Sequence, residues 1–217
     1  QAHDFDDPNQ EAEFIVVTIL HEQKINPNAS IAILVRSRKQ LNTIMRAIRS
    51  KNIPYQGVDV ELLAKKQHIR DVYAFTKTLF MPGNRLAWLT FLRSIFCGLS
   101  LSDILIISEF APKKSIYFAL NNLDKMPNLS TEGYTRAKYI FRVLNKAIQN
   151  RAQCNSIDWL INTLNELHIN SILEPQQILD LEQYWQLVDE HLIAGDIANW
   201  QLFTEKLNNL YSKQTTF

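Results

Sequence analysis

Apolar residues recur every three or four positions along most of the chain, the spacing that gathers them on one face of a helix. Leu41, Ile44, Met45 and Ile48 make one such face, and Tyr134, Ala137, Phe141, Leu144 and Ile148 another. Ile178, Leu181, Trp185, Val188 and Leu192 form a third, and Trp200, Phe203, Leu207 and Leu210 a fourth. Asn9 to Lys24 predicts an amphipathic helix with Phe14, Val17, Ile19 and Leu20 apolar, and Ser156 to Leu164 another with Ile157, Leu160 and Ile161. One stretch breaks the rule. Ile31 to Val35 reads as a short buried strand, and a second extended piece follows Pro54, so a strand–helix–strand unit is expected there. From Asp59 onward only helical patterns occur, punctuated at Pro82-Gly83, Pro112, Pro127 and Pro175. Gly195-Asp196 reads as a glycine just past a helix followed by an N-cap. The expectation is a mainly α protein: a small, incomplete α/β portion over 1–58 and a helical domain over 59–217.

Composition narrows the class. A chain of 217 residues can hold one large or two small domains with a sizeable core. Its charged fraction of 21% and hydrophobic fraction of 46% are those of an ordinary globular protein. Net charge is only +1, so any nucleic-acid contact must come from local patches. Cys97 and Cys154 do not make a disulfide framework, and with no signal peptide in view they suggest a reducing cytoplasm. No apolar run is long enough for a membrane helix. The start at Gln1 and the stop at Phe217, just after a helical pattern, suggest a piece of something longer.

The search for chemistry returns mostly negatives. The five glycines never approach the G-x-x-x-x-G-K-[ST] spacing that cradles a nucleotide's phosphates. Val188-Asp189-Glu190-His191 copies an acidic box in letters only, because Trp185 and Val188 belong to a helical stripe and not to a buried strand. His3, His21, His68, His168 and His191 show no metal-ligand spacing, and no G-x-S-x-G elbow exists for a hydrolase serine. No catalytic residue and no metal ligand is predicted. The four tryptophans, Trp88, Trp159, Trp185 and Trp200, read as packing residues.

Local basic clusters remain. Arg36, Arg38, Lys39, Arg46, Arg49 and Lys51 surround the apolar face of the helix after Val35, and Arg36 and Arg38 lie just past the expected strand's carboxyl end, where open α/β sheets place ligand contacts. A polyanion-binding surface and a solvated charged face both fit that pattern. In Cys97-Gly98-Leu99-Ser100, a glycine precedes a helix start, and Ser100 with Asp103 three residues on resembles a capping box. Such a turn admits a phosphate to free amides, or is simply a glycine turn into a capped helix. Lys138, Arg142 and Lys146 are four apart on the face opposite an apolar stripe, the usual spacing of a solvated face.

Several motifs in register resemble one family. Leu34-Val35-Arg36-Ser37, Ile53-Pro54-Tyr55, Lys65-Lys66 with Ile69-Arg70-Asp71, and Leu92-Arg93-Ser94-Ile95-Phe96-Cys97-Gly98-Leu99-Ser100 follow the order and spacing of UvrD/Rep-type superfamily 1 helicases. Leu63-Ala64, Ala87-Trp88-Leu89 and Cys97-Gly98-Leu99-Ser100 look closest to the RecB/AddA-like, exonuclease V-related branch. The resemblance spans roughly Ile31 to Ile104. It implies that 1–58 begins a RecA-like motor domain (2A) and that 59–217 is most of the inserted helical 2B domain. It implies a parent that is an ATP-dependent DNA helicase of 3′-to-5′ polarity, with ATP and Mg bound elsewhere, and leaves open whether a nuclease accompanies it. The piece in hand would hold no cofactor; its partners would be single-stranded and duplex DNA and the remaining helicase domains. By the same resemblance Arg36, Ser37 and Arg38 contact single strand, although the family often carries Asn where Arg38 stands. Gly98, Leu99 and Ser100 grip duplex, and Lys138, Arg142 and Lys146 are a further basic row. The competing expectation is an all-helical protein–protein interaction module.

Overall fold

A computed structural model of the protein describes residues 3–53, 55 and 61–212, with backbone only for Arg38, Lys39 and Asn170. The described residues are mainly helical and fall into two compact units, one over 3–53 with 55 and one over 61–212.

The first unit is a helix pair. α1 (Pro8–Ile25) starts where Asp7 accepts the N–H of Asn9 at 2.9 Å and Pro8 fills the first helical position, a proline site that costs no hydrogen bond. α2 (Arg38–Ser50) follows Ser37 and stops at Lys51, with Asn52 in the left-handed region at φ 53°, a common way to end a helix. Ala12, Val16 and Ile19 of α1 pack on Ile44 and Ile48 of α2, with Ile53, and Ile33, Val35 and Tyr55 close the edge. An open cavity of about 700 Å³ lies along the pair, lined by Val16, Val17, Leu20, Thr43, Arg46 and Ala47 among others.

Two expectations change here. Ile31 to Val35 forms no strand: Ile33 and Val35 are half-buried, Leu34 is 95% exposed, and no described segment pairs with it. A strand needs a neighbour for its N–H and C=O groups, and among the described residues the stretch has none. Except for Tyr55, the second extended piece expected after Pro54 lies outside the described residues. In α1 the helix is as expected but the inward face is not, since Val17 is 64% exposed while Ala12 and Val16 are buried.

The second unit is a helical bundle. It contains α3 (Gln67–Phe80), α4 (Arg85–Leu92), α5 (Leu101–Phe110), α6 (Ile116–Leu120), α7 (Thr131–Gln149), α8 (Ser156–Glu166), α9 (Pro175–Glu190) and α10 (Trp200–Asn209). Serine or asparagine begins most of them: Asn84, Ser100, Ser115, Ser130, Asn155 and Asn199 each accept a first-turn N–H. One core joins them, with Trp88, Phe75, Phe91, Tyr184 and Phe203 fully buried. Trp88 and Trp159 satisfy their indole N–H on the carbonyls of Pro82 and Ala147 at 2.9 and 2.8 Å. The α9 face turns inward at Leu181, Tyr184, Leu187 and Val188, leaving Ile178 38% exposed, one step round from the expected stripe.

The expected helix stop and N-cap at Gly195-Asp196 is instead a hairpin. β1 (Leu192–Ile193) pairs antiparallel with β2 (Asp196–Ile197). Ala194 and Gly195 both have positive φ, 51° and 81°, which is what a two-residue turn matching strand twist requires. Arg151 holds this hairpin by its ion pair to Asp196 at 3.1 Å while lying over the rings of Phe80 and Trp159.

The unit's incoming and outgoing segments meet. Leu62 bridges Tyr211, the N–H of Leu63 donates to the Leu210 carbonyl at 2.8 Å, and that of Ser212 to Glu61 at 2.9 Å. Beneath the bridge, Asp180 of α9 is 1% exposed and accepts from Lys66 (2.7 Å), His68 Nε2 (2.9 Å) and Ser212 (2.5 Å). Burial pushes its carboxyl up, but His68, Lys66 and Ser212 outweigh that and hold it below the ordinary range.

Candidate nucleic-acid interface

Arg36, Ser37 and Arg38 lie where the unladdered segment enters α2. Arg36 and Ser37 are exposed, and Ser37 puts its hydroxyl on Gln40 Oε1 at 3.3 Å and not on an N–H of α2. Among the described residues no side chain caps the first-turn amides of α2, and the turn carries no acidic residue. Uncapped amides beside cationic residues are chemistry suited to an anion. Arg38 is placed by its backbone at the first helical position.

The Gly98 turn is more tightly built. Gly98 has φ +60°, left-handed geometry that glycine adopts without Cβ strain. Its carbonyl accepts Arg136 Nη1 of α7 at 3.0 Å, and a Cβ at Gly98 would overlap that guanidinium. Arg136 also pairs with Glu132 at 2.5 Å, one turn back, and keeps its side chain 46% exposed. Leu99 is buried and Ser100 exposed. Ser100 Oγ accepts the N–H of Asp103 at 3.1 Å, the first half of the expected capping box. The second half takes another form: Asp103 accepts the Ser100 hydroxyl at 2.6 Å, and the N–H and hydroxyl of Ser130, both at 2.9 Å.

Asp103 thus sits at the starts of two helices, α5 and α7, a link between positions too far apart in sequence for local spacing to reveal. Burial raises its pKa, and the bonds from Ser100 and Ser130 more than reverse this, holding it below the usual carboxylate range. Gly133 is required beside it, because a Cβ there would overlap the Asp103 carboxylate. The carboxylate's charge already occupies the positive ends of both helices, and Arg136, which spacing alone did not single out, presents an exposed cation at this turn.

Beneath the same turn, Asp71 of α3 is 2% exposed and accepts from Gln67 at 2.7 Å and from the backbone N–H of Ile95. Burial raises its pKa despite those bonds and the nearby charges of Arg70 and His68. Its Oδ2 and the Ser94 hydroxyl are buried without hydrogen-bond partners among the described residues. Cys97, also buried, has its thiol pushed up by desolvation, so it is an inert packing group.

The α7 row is exposed throughout, and each cation has company. Lys138 donates to the Tyr134 hydroxyl at 2.7 Å and lies 4.9 Å from that ring's centroid, and Tyr134 donates to Asp124. Arg142 lies over Tyr139 at 5.3 Å. Lys146 pairs with Glu166 at 3.0 Å. Partners at the surface neutralise Lys138 and Lys146 in part, and Arg142, stacked on a ring with no carboxylate paired to it among the described residues, is the strongest free cation of the three.

The profile described as the UvrD-like helicase C-terminal domain matches residues 1–138. The chain belongs to that family. The match takes in the Arg36 helix start and the Gly98 turn and reaches Lys138, so Arg142 and Lys146 lie past it. Membership of a helicase family favours DNA as the partner over a purely protein-binding module. No curated protein matches the chain. No described helix is long and apolar enough to cross a membrane.

Proposed function

We propose that the chain is the part of an ATP-dependent DNA helicase where the second motor domain hands over to an inserted helical domain. Residues 1–58 would begin domain 2A and 59–217 would supply most of 2B. The family match over residues 1–138 carries this reading. The kinship with the RecB/AddA-like branch, the 3′-to-5′ polarity, a nuclease partner and a cytoplasmic setting belong to the same proposal and rest on the motif resemblance alone. ATP and Mg would bind in other parts of the parent.

In this reading Arg36, Ser37 and Arg38 meet single strand, and uncapped amides support that. Gly98, Leu99 and Ser100 shape a turn that presents Arg136 to duplex, and Lys138, Arg142 and Lys146 extend the cationic surface along α7. With three to five phosphates neutralised, log affinity should fall with log salt at a slope of roughly −3 to −5. Fluorescence anisotropy of labelled single-stranded and forked DNA across a salt series tests this. Arg36→Ala should weaken single-strand binding, and Arg136→Ala duplex binding. Absence of binding at low salt, or binding indifferent to salt, overturns the DNA reading in favour of a protein-interaction module.

A further inference from the structure

A second, smaller cavity of about 280 Å³ opens within the helical unit, between the start of α3, the end of α4 and the end of α10. Ile69 and Leu207, both buried, form its apolar floor. Arg70, Thr90 and Asn208 line its exposed mouth. Among the described residues no hydrogen bond or ion pair engages the Arg70 guanidinium, the Thr90 hydroxyl or the Asn208 carboxamide. The remaining wall is a hydroxyl relay with its protons committed. Thr204 donates to the Trp200 carbonyl at 2.7 Å, so at 2.9 Å it receives the Tyr73 proton, and Tyr73 in turn lies 3.5 Å from Lys77 Nζ. Among the described residues no carboxylate lines the cavity. The nearest in sequence, Asp71, is buried with one oxygen on Gln67; it lies close enough to feel the Arg70 charge but makes no ion pair with it.

Three uncommitted donor groups from three helices, one of them a guanidinium, around an acid-free concavity select an oxyanion. The volume is ample for a phosphate with part of a sugar. We infer that Arg70, Thr90 and Asn208 form a binding site for a single phosphate group. The choice of phosphate over a carboxylate rests on the DNA reading above. A backbone phosphate of DNA and a free phosphate share this chemistry, and the experiment separates them.

The 217-residue chain is melted in sodium phosphate, sodium acetate and sodium chloride at equal ionic strength and pH, and phosphate affinity is taken from the concentration dependence of the midpoint. Phosphate should raise the midpoint above both other salts. Arg70→Gln should weaken phosphate about tenfold, as loss of one charge-assisted contact does. Asn208→Asp, an exposed rim change that adds a negative charge and leaves the core alone, should abolish the effect. Equal midpoints in the three salts, or an undiminished phosphate response in folded Asn208→Asp, overturn the site. In parallel, anisotropy with single-stranded DNA is measured on the same variants. If Arg70→Gln lowers the salt slope by about one, the phosphate belongs to DNA; if the slope holds while the phosphate midpoint shift is lost, the site takes free phosphate. A wild-type chain that binds phosphate and no DNA sinks the helicase surface and leaves this site standing. DNA binding without phosphate stabilisation does the reverse.

Discussion

The two units carry similar amphipathic stripes and bury them to different degrees. In the helical unit Trp88, Phe75, Phe91, Tyr184 and Phe203 vanish from solvent because each helix meets several others. In the helix pair the buried cluster among the described residues is Ala12, Val16, Ile19, Ile44, Ile48 and Ile53, while Val17, Ile25 and Leu34 stay 64%, 67% and 95% exposed. A two-helix contact has one interface in which to hide apolar surface, and small assemblies bury proportionally less. The same periodicity therefore yields a closed core in one place and an open groove in the other.

Truncations measured by urea unfolding probe this contrast most strongly. Trp88→Ala should cost about 3–5 kcal/mol, as loss of a large buried aromatic does, whereas Ile44→Ala should cost about 2 kcal/mol, since the adjoining groove lets the site relax. Equal losses would mean that the first unit is packed as tightly as the second.

Asp180→Ala should remove about 3 kcal/mol by leaving Lys66 and His68 facing each other without their carboxylate. The sign with pH follows from a folded pKa lying below the unfolded value. The stabilisation is present above pH ~4 and is lost as pH falls through the folded value. The gap between wild type and Asp180→Asn should therefore close in acid, and a gap that persists there would break the assignment.

Gly98→Ala should cost about 1–2 kcal/mol through its positive φ and the overlap with Arg136. Adding Arg136→Ala should recover the overlap share and leave the backbone share, which a double-mutant cycle reads directly. The smallest effect belongs to Asp71, whose folded pKa is raised by burial. Its ionisation penalises the native state increasingly as pH rises from the unfolded value toward the folded one. Asp71→Asn should melt slightly higher than wild type near neutrality, with the advantage fading toward pH ~4, as scanning calorimetry across pH would show.

The helical stripes and the basic clusters were legible from spacing, and one helix start from its end chemistry. Ser100 announced α5, and the tryptophans read as packing where Trp88 and Trp159 are buried. Which flank of α1 and α9 turns inward was not, because apolar residues there cover more of the circumference than the core uses. Ile31 to Val35 has strand composition, but a ladder depends on neighbours that composition does not supply. The Ala194-Gly195 turn escaped because alanine rarely takes positive φ. In the candidate site, the Gly98 turn was visible, while Arg136 and the Asp103 link to Ser130 come from folding distant segments together.

The pairing of Leu62 with Tyr211 has a consequence for how such a module travels between proteins. Opposed residues in an antiparallel bridge lie only about 5 Å apart, so everything between them forms a cassette whose two seams nearly touch. Excising it leaves a gap that a turn of two or three residues spans, and grafting it into another loop asks the host to part its backbone by the width of one strand pair.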